Sequence, residues 1–158
     1  ERLAGMPAEG TLAGLVTGSI DALLRLPGYP ADSPRLLVAD YKTNRLHARD
    51  SACPMADYAP ARLAEAMAHG DYPLQAILYG TAVWRMLRWR LSPRKPAGWD
   101  PGECIAGVVY GFVRGMKGPR SPVDADGRRY GVFTWQPPPA LWRCVSDLLA
   151  GDLEGVRA

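Results

Sequence analysis

Apolar runs alternate along this chain with stretches punctuated by proline and glycine. Thr11 to Leu26 is apolar and β-prone, bent near Gly14 and Gly18, and reads as one long strand or a strand pair. Pro27, Gly28, Pro30, Asp32, Ser33 and Pro34 mark a turn. Arg35 to Thr43 follows as a short buried strand, so the two runs predict a hairpin. Asn44 to Ala59 is polar and irregular. Pro60 suits the first turn of a helix, and Ala61 to His69 continues it until Gly70 stops it. Asp71 is placed to cap a second helix, with Pro73 in its first turn. That helix runs from about Tyr72 to Leu91 and is apolar over most of its circumference, which predicts cover on more than one side. A Pro/Gly loop over 92–102 leads into a β run, Cys104 to Val113. Residues 114–129 form a basic loop, and Tyr130 to Trp135 is another strand. After three prolines a last helix, about Ala140 to Ala150, carries Leu141, Trp142, Val145, Leu148 and Leu149 on its apolar face. Strands, two helices, strands and a helix, in that order, predict an α/β or α+β sandwich.

Composition changes this picture little. A chain of 158 residues suits one domain with a sizeable core. A net charge of +3 permits a polyanionic partner without demanding one. Cys53, Cys104 and Cys144 are widely spaced and form no CxxC pair, so zinc and iron–sulfur sites gain no support and free thiols in a reducing cytosol are expected. No apolar run is long enough to span a membrane, and no signal-peptide pattern opens the chain. The chain opens at Glu1 in mid-pattern and is expected to be a piece of something longer. It carries no GxxxxGK loop, so ATP hydrolysis is not expected of it; nucleophile elbows and zinc-spaced His/Cys sets are also absent from the sequence.

The candidate chemistry centres on Asp21, Asp40 and Lys42. Both acids lie within apolar runs, where an ionised carboxylate is costly unless it is paired or holds a metal. The hairpin brings Asp21 towards Asp40, and strand alternation puts Asp40 and Lys42 on one side. Two carboxylates and an amine at one spot suit a hard divalent cation and phosphodiester hydrolysis, with the Tyr41 carbonyl as a further ligand. An Asp-x-Lys triplet alone is more often a plain ion pair; the second acid one hairpin upstream shifts that balance. Gln75 and Tyr79 share a helix face, which by spacing alone is more often a surface Gln over a buried Tyr. His47 is expected to be solvated, and His69 to serve its helix C-terminus. Trp84 and Trp89 are expected in the core or at a subunit contact, and Trp135 and Trp142 to seat the last helix on the sheet. Basic clusters follow the long helix (Arg85, Arg88, Arg90, Arg94, Lys95) and fill the late loop (Arg114, Lys117, Arg120, Arg128, Arg129), the second having the better claim on phosphates.

Taken in order, Gly18-Ser19-Ile20-Asp21, Asp40-Tyr41-Lys42-Thr43-Asn44, Tyr72-Pro73-Leu74-Gln75 with Tyr79, and the run from Gly107 to Met116 resemble the C-terminal nuclease domain of RecB proteins, the exonuclease V beta subunits of the PD-(D/E)XK superfamily. The resemblance spans about Leu12 to Leu149. It implies a restriction-endonuclease-like core, a central mixed β-sheet flanked by helices, in a single domain over 1–158 from the C-terminal part of a helicase–nuclease subunit. It further implies a Mg2+-dependent DNA exonuclease or endonuclease acting in double-strand break repair and recombination, with Mn2+ as a substitute. Its partners would be DNA and RecC-like and RecD-like subunits, in the bacterial cytoplasm at the nucleoid and away from membranes. Asp21 and Asp40 match the two metal-binding acids, Lys42 the catalytic lysine, and Gln75 and Tyr79 the motif that arranges the site and its DNA. Asn44, Arg114 and Gly115 match family positions without an assigned task; Gly115 reads as a turn glycine chosen for backbone freedom. Such nucleases also supply a histidine ligand from a helix before the first acid, a position that neither His47 nor His69 matches. A catalytically silent module that binds DNA or a partner subunit is the alternative, and retention of both acids and the lysine argues against it.

Overall fold

The structure is a computed structural model that describes residues 17–47 and 54–152. The apolar run after the turn becomes strand β2 (Leu36–Lys42), and β1 (Ala22–Arg25) pairs with it antiparallel, Ala22 opposite Ala39 and Arg25 opposite Leu36. The connection is closed by Leu26 N–H donating to the Arg35 carbonyl at 2.8 Å. Gly28 adopts φ 84, a conformation that glycine reaches without steric cost. Of the strand or strand pair expected over 11–26, the described part is β1 alone, with the break near Gly18 where it was expected. Residues 17–20 join no strand, so Asp21 precedes β1 rather than lying inside it. Gly18 and Ser19 offer the ladder little strand propensity. The expected strand before residue 17 lies outside the described residues.

β2 pairs in parallel with β3 (Ile105–Phe112), and β3 pairs antiparallel with β4 (Val132–Trp135), giving a mixed sheet in the order β1-β2-β3-β4. A parallel pair cannot be joined by a tight turn. The crossover here contains α1 (Pro60–His69) and α2 (Tyr72–Leu91). The register sets Val38 beside Val108, Asp40 beside Tyr110 and Lys42 beside Phe112. Alternation therefore puts the apolar core, the acid and the lysine on one face of the sheet.

That face is covered by helices. Leu63 and Met67 of α1 and Ala76, Val83, Trp84 and Leu87 of α2 join its core. The third helix, α3 (Ala140–Leu149), lies against α2 and buries Trp142, whose ring meets Trp135 edge-on at 5.9 Å as expected. α2 is covered on more than one side, yet Leu74 and Trp89 stay exposed, Trp89 at 75%. Trp84 is core and its Nε1 donates to Asp100 Oδ1 at 2.8 Å; Trp89 is not core. The apolar stripe of α3 is also narrower than predicted. Leu148 and Leu149 are exposed, while Ser146 is buried and accepts from Arg85 Nε at 3.0 Å. Trp142 and Ser146, one turn apart, define the contact line, and Leu148 is rotated away from it.

Helix ends follow their local sequence with one exception. Pro60 and Pro73 take first-turn positions. Asp71 stands at the N-cap of α2 but makes no cap hydrogen bond, because its backbone (φ −81, ψ 11) is not the extended conformation that aims a capping carboxylate. Gly70 ends α1 in an extended conformation (φ −100), and a Cβ there would come within 2.8 Å of Tyr72 Cδ2. No described helix is long and apolar enough to cross a membrane.

Candidate active site

Asp40 sits inside β2 and is 3% exposed. Lys42, next but one along the same face, brings Nζ to 2.6 Å from Asp40 Oδ2. Asp21 leads into β1, whose register with β2 sets it against Asp40; its Oδ2 accepts the Tyr41 N–H at 2.8 Å. The hairpin thus assembles the three groups as the sequence predicts.

The donor set fits a hard divalent cation. Asp40 Oδ2 is shut off from solvent, and its contact with Lys42 lacks hydrogen-bond alignment, so a buried carboxylate oxygen faces the Lys42 corner without a directed donor. Asp21 adds a second carboxylate from the position just before β1. Mg2+ keeps several waters and is commonly held by one or two carboxylates together with substrate phosphate. Among the described residues no group of three or more His, Cys, Asp or Glu side chains converges, so these residues offer a cation two carboxylates.

α2 closes the corner. Lys42 Nζ donates to Gln75 Oε1 at 2.8 Å, and Gln75 Nε2 donates to the Tyr79 hydroxyl at 3.0 Å. Gln75 and Tyr79 therefore join the acids and the lysine, against the expectation from helix spacing alone. Two further residues that sequence reasoning missed belong here. Lys42 Nζ stands 4.9 Å from the Tyr72 ring centroid and 5.3 Å from that of Tyr110. Tyr110 directs its hydroxyl at the Tyr72 carbonyl (3.1 Å) and Gln75 Oε1 (3.3 Å). Asn44 Nδ2 donates to the Tyr72 hydroxyl at 2.8 Å. The β-run around Tyr110 was visible in the sequence; its register against Asp40 was not.

Burial pushes the Tyr110 hydroxyl well above the usual phenol range, and the Asp40 carboxylate adds to the shift. The folded chain then keeps a proton that the unfolded chain loses above about pH 10, so the folded state loses stability as pH rises past that point. Tm measured from pH 8 to 11 is expected to fall, and to fall less steeply in Tyr110→Phe.

Other candidates fall elsewhere. Arg114 Nε donates to the Thr43 carbonyl at 2.7 Å, tying the end of β3 to the segment after Lys42. Gly115 does not adopt a left-handed conformation; it is small because a Cβ would strike Tyr58 and come within 2.9 Å of Gly131 Cα. His47 is not solvated: its side chain is 5% exposed, with Nδ1 3.6 Å from Asp57 Oδ2, because the segment folds back against Tyr58. His69 Nδ1 meets the Glu65 carbonyl at 2.7 Å, serving its helix end as predicted. In the late basic loop, Arg128 is already engaged by Asp124 and Asp126. Cys104 and Cys144 are free thiols; Cys53 lies outside the described residues.

No family model matches the chain. It is 52% identical over 138 residues to the RecBCD enzyme subunit RecB of Mycobacterium tuberculosis, a match covering 87% of this chain and 11% of that protein. The RecB subunit of Mycolicibacterium smegmatis is 45% identical over 153 residues, covering 96% of this chain and 13% of the relative. That of Escherichia coli is 32% identical over 138 residues, covering 87% and 10%. The chain thus spans only 10% to 13% of the length of these curated relatives.

Proposed function

Since the chain is homologous to a segment of RecB, a subunit of the RecBCD enzyme, we propose that the corner formed by β1, β2 and α2 is a Mg2+-dependent nuclease site that hydrolyses DNA phosphodiesters. The observation that carries this reading is the convergence of Asp21, Asp40, Lys42, Gln75 and Tyr79, drawn from three elements, at one end of the sheet. On this reading the chain is a single PD-(D/E)XK domain from the C-terminal part of a helicase–nuclease subunit. It works on DNA in break repair and recombination, beside RecC-like and RecD-like subunits in the bacterial cytoplasm.

Asp21 and Asp40, with the Tyr41 carbonyl, would hold Mg2+ or Mn2+. A divalent cation bound there would acidify a water and offset charge on the reacting phosphate. The protein groups do the positioning. The Lys42 ammonium donates to the phosphate or the attacking water as negative charge develops. Gln75 accepts from Lys42 through its carbonyl and donates to Tyr79 through its amide. The Tyr79 hydroxyl, already an acceptor there, keeps its own proton to donate outward to a DNA phosphate oxygen.

Linear DNA offered to the full-length subunit is expected to be degraded with Mg2+ and left intact with EDTA, cutting returning when Mg2+ is restored in excess. Calorimetric titration is expected to show Mn2+ binding that Asp40→Ala abolishes. Cutting that persists under chelation would remove the metal-dependent reading. No Mg2+ or Mn2+ binding even by the full-length subunit would favour a silent DNA- or partner-binding module.

A further inference from the structure

Lys42 reaches its carboxylate through walls that the proposed chemistry leaves without a task. Its ammonium lies over the faces of Tyr72 and Tyr110, with Asp40 Oδ2 at 2.6 Å and Gln75 Oε1 at 2.8 Å as its polar partners. The Lys42 side chain is 14% exposed, so it keeps limited access to solvent.

Each wall is itself held in place. Tyr110 is wholly buried in the core. The Tyr72 ring is fixed on one side by Gly70, where any Cβ would come within 2.8 Å of it, and on another by Phe112, edge-on at 6.3 Å. Its hydroxyl is held by Asn44 Nδ2 at 2.8 Å. Asn44, a motif residue without a task of its own, is thereby accounted for: it fastens the wall beside the lysine two residues before it.

We infer that Tyr72 and Tyr110 are positioning residues that box the Lys42 ammonium against Asp40 and Gln75, the Tyr110 hydroxyl also fixing which way the Gln75 amide faces. The catalytic consequence rests on the nuclease reading above; the box does not. A lysine side chain has many rotamers, and an ammonium is drawn to an aromatic face. The two rings are neighbouring walls, with centroids 5.9 Å apart, and they disfavour the rotamers that would carry the ammonium into them and away from Asp40. Gln75 Oε1 lies within reach of two donors, Lys42 Nζ and the Tyr110 hydroxyl. With the amide turned over, both donors would face an NH2 group that cannot accept. The locked orientation then fixes the amide hydrogen that meets Tyr79.

The test pairs NMR with kinetics. The lysines of the chain are Lys42, Lys95 and Lys117, so labelling lysine with 13C leaves few ε-methylene signals to assign. Ring faces shield the Lys42 ε-methylene. Tyr72→Leu is expected to move that signal downfield and leave those of Lys95 and Lys117 unmoved, whereas Tyr72→Phe keeps it in place. Tyr72→Met is a second ring-removing variant if the leucine does not fold. Tyr110→Phe, which keeps the ring, is expected to hold the Lys42 signal and lower kcat by ~5-fold with KM unchanged. Tyr72→Leu is expected to lower kcat by ~10-fold or more. An unmoved Lys42 signal in a folded Tyr72→Leu or Tyr72→Met protein overturns the box. So does a raised KM with unchanged kcat in Tyr110→Phe. A wild-type chain and full-length subunit that do not cut DNA at all would overturn the nuclease reading instead, and the NMR comparison would still decide the box.

Discussion

Asp40→Ala and Lys42→Ala are each expected to lower Mg2+-dependent DNA cleavage by on the order of 1000-fold, yet to differ in what they do to the fold. Asp40 is buried, and Lys42 is its ion-pair partner at 2.6 Å. Lys42→Ala leaves a buried carboxylate without its cation, and breaking a buried pair from one side costs about 3 kcal/mol. For a domain of this size that is a fall in Tm of roughly 6–12 °C. Asp40→Ala removes the buried charge itself. The stranded ammonium retains Gln75 Oε1 and two ring faces and is more exposed than Asp40, so the loss of stability is expected to be smaller than that of Lys42→Ala. Thermal melts and cleavage assays on the two variants separate these outcomes. Near-wild-type cutting by both would reject the site. Losses of Tm that are small for both would mean that the pair is screened by water rather than buried.

The second large effect is structural. Gly80 lies in the middle of α2, where alanine should favour the helix by about 1 kcal/mol. In this fold a Cβ at position 80 would enter the Trp142 ring, which is 1% exposed and braced against Trp135. Overpacking a rigid buried ring costs typically 1–3 kcal/mol or more, because neither the helix backbone nor the indole can yield cheaply. The steric cost wins at the upper end of that range. Gly80→Ala is expected to destabilise the chain by about 2 kcal/mol, lowering Tm by roughly 4–8 °C. Trp142→Leu in the same background should recover part of the loss, since it removes the obstructing ring. A more stable Gly80→Ala protein would show that α2 and α3 do not approach as described.

The residues that carry the proposed chemistry were legible because their signals are local. Asp40 and Lys42 share a strand face by alternation, and the turn between two apolar runs made the approach of Asp21 expected. The bounds of α2 followed from Asp71, Pro73 and the end of the apolar pattern at Leu91. The break near Gly18 was legible too, but not that it would leave Asp21 outside β1, because apolar composition is only part of what a ladder needs. The roles of Gln75 and Tyr79 were undecidable from spacing, since a shared helix face does not say what the face meets.

Residue type and period by themselves determined the order of the elements, the hairpin and the two helices after it, and they marked the two acids and the lysine as candidates. They could do so because strand alternation, helix period and the punctuation of proline and glycine act over a few residues. Only the tertiary structure decided that Tyr72 and Tyr110 enclose Lys42, that His47 is buried against Tyr58, that Gly115 is a contact glycine rather than a turn glycine, and that Gly80 makes room for Trp142. Each of these depends on which face of one element meets which face of another. That choice is settled by burying the whole core at once, and no short window of the chain contains it.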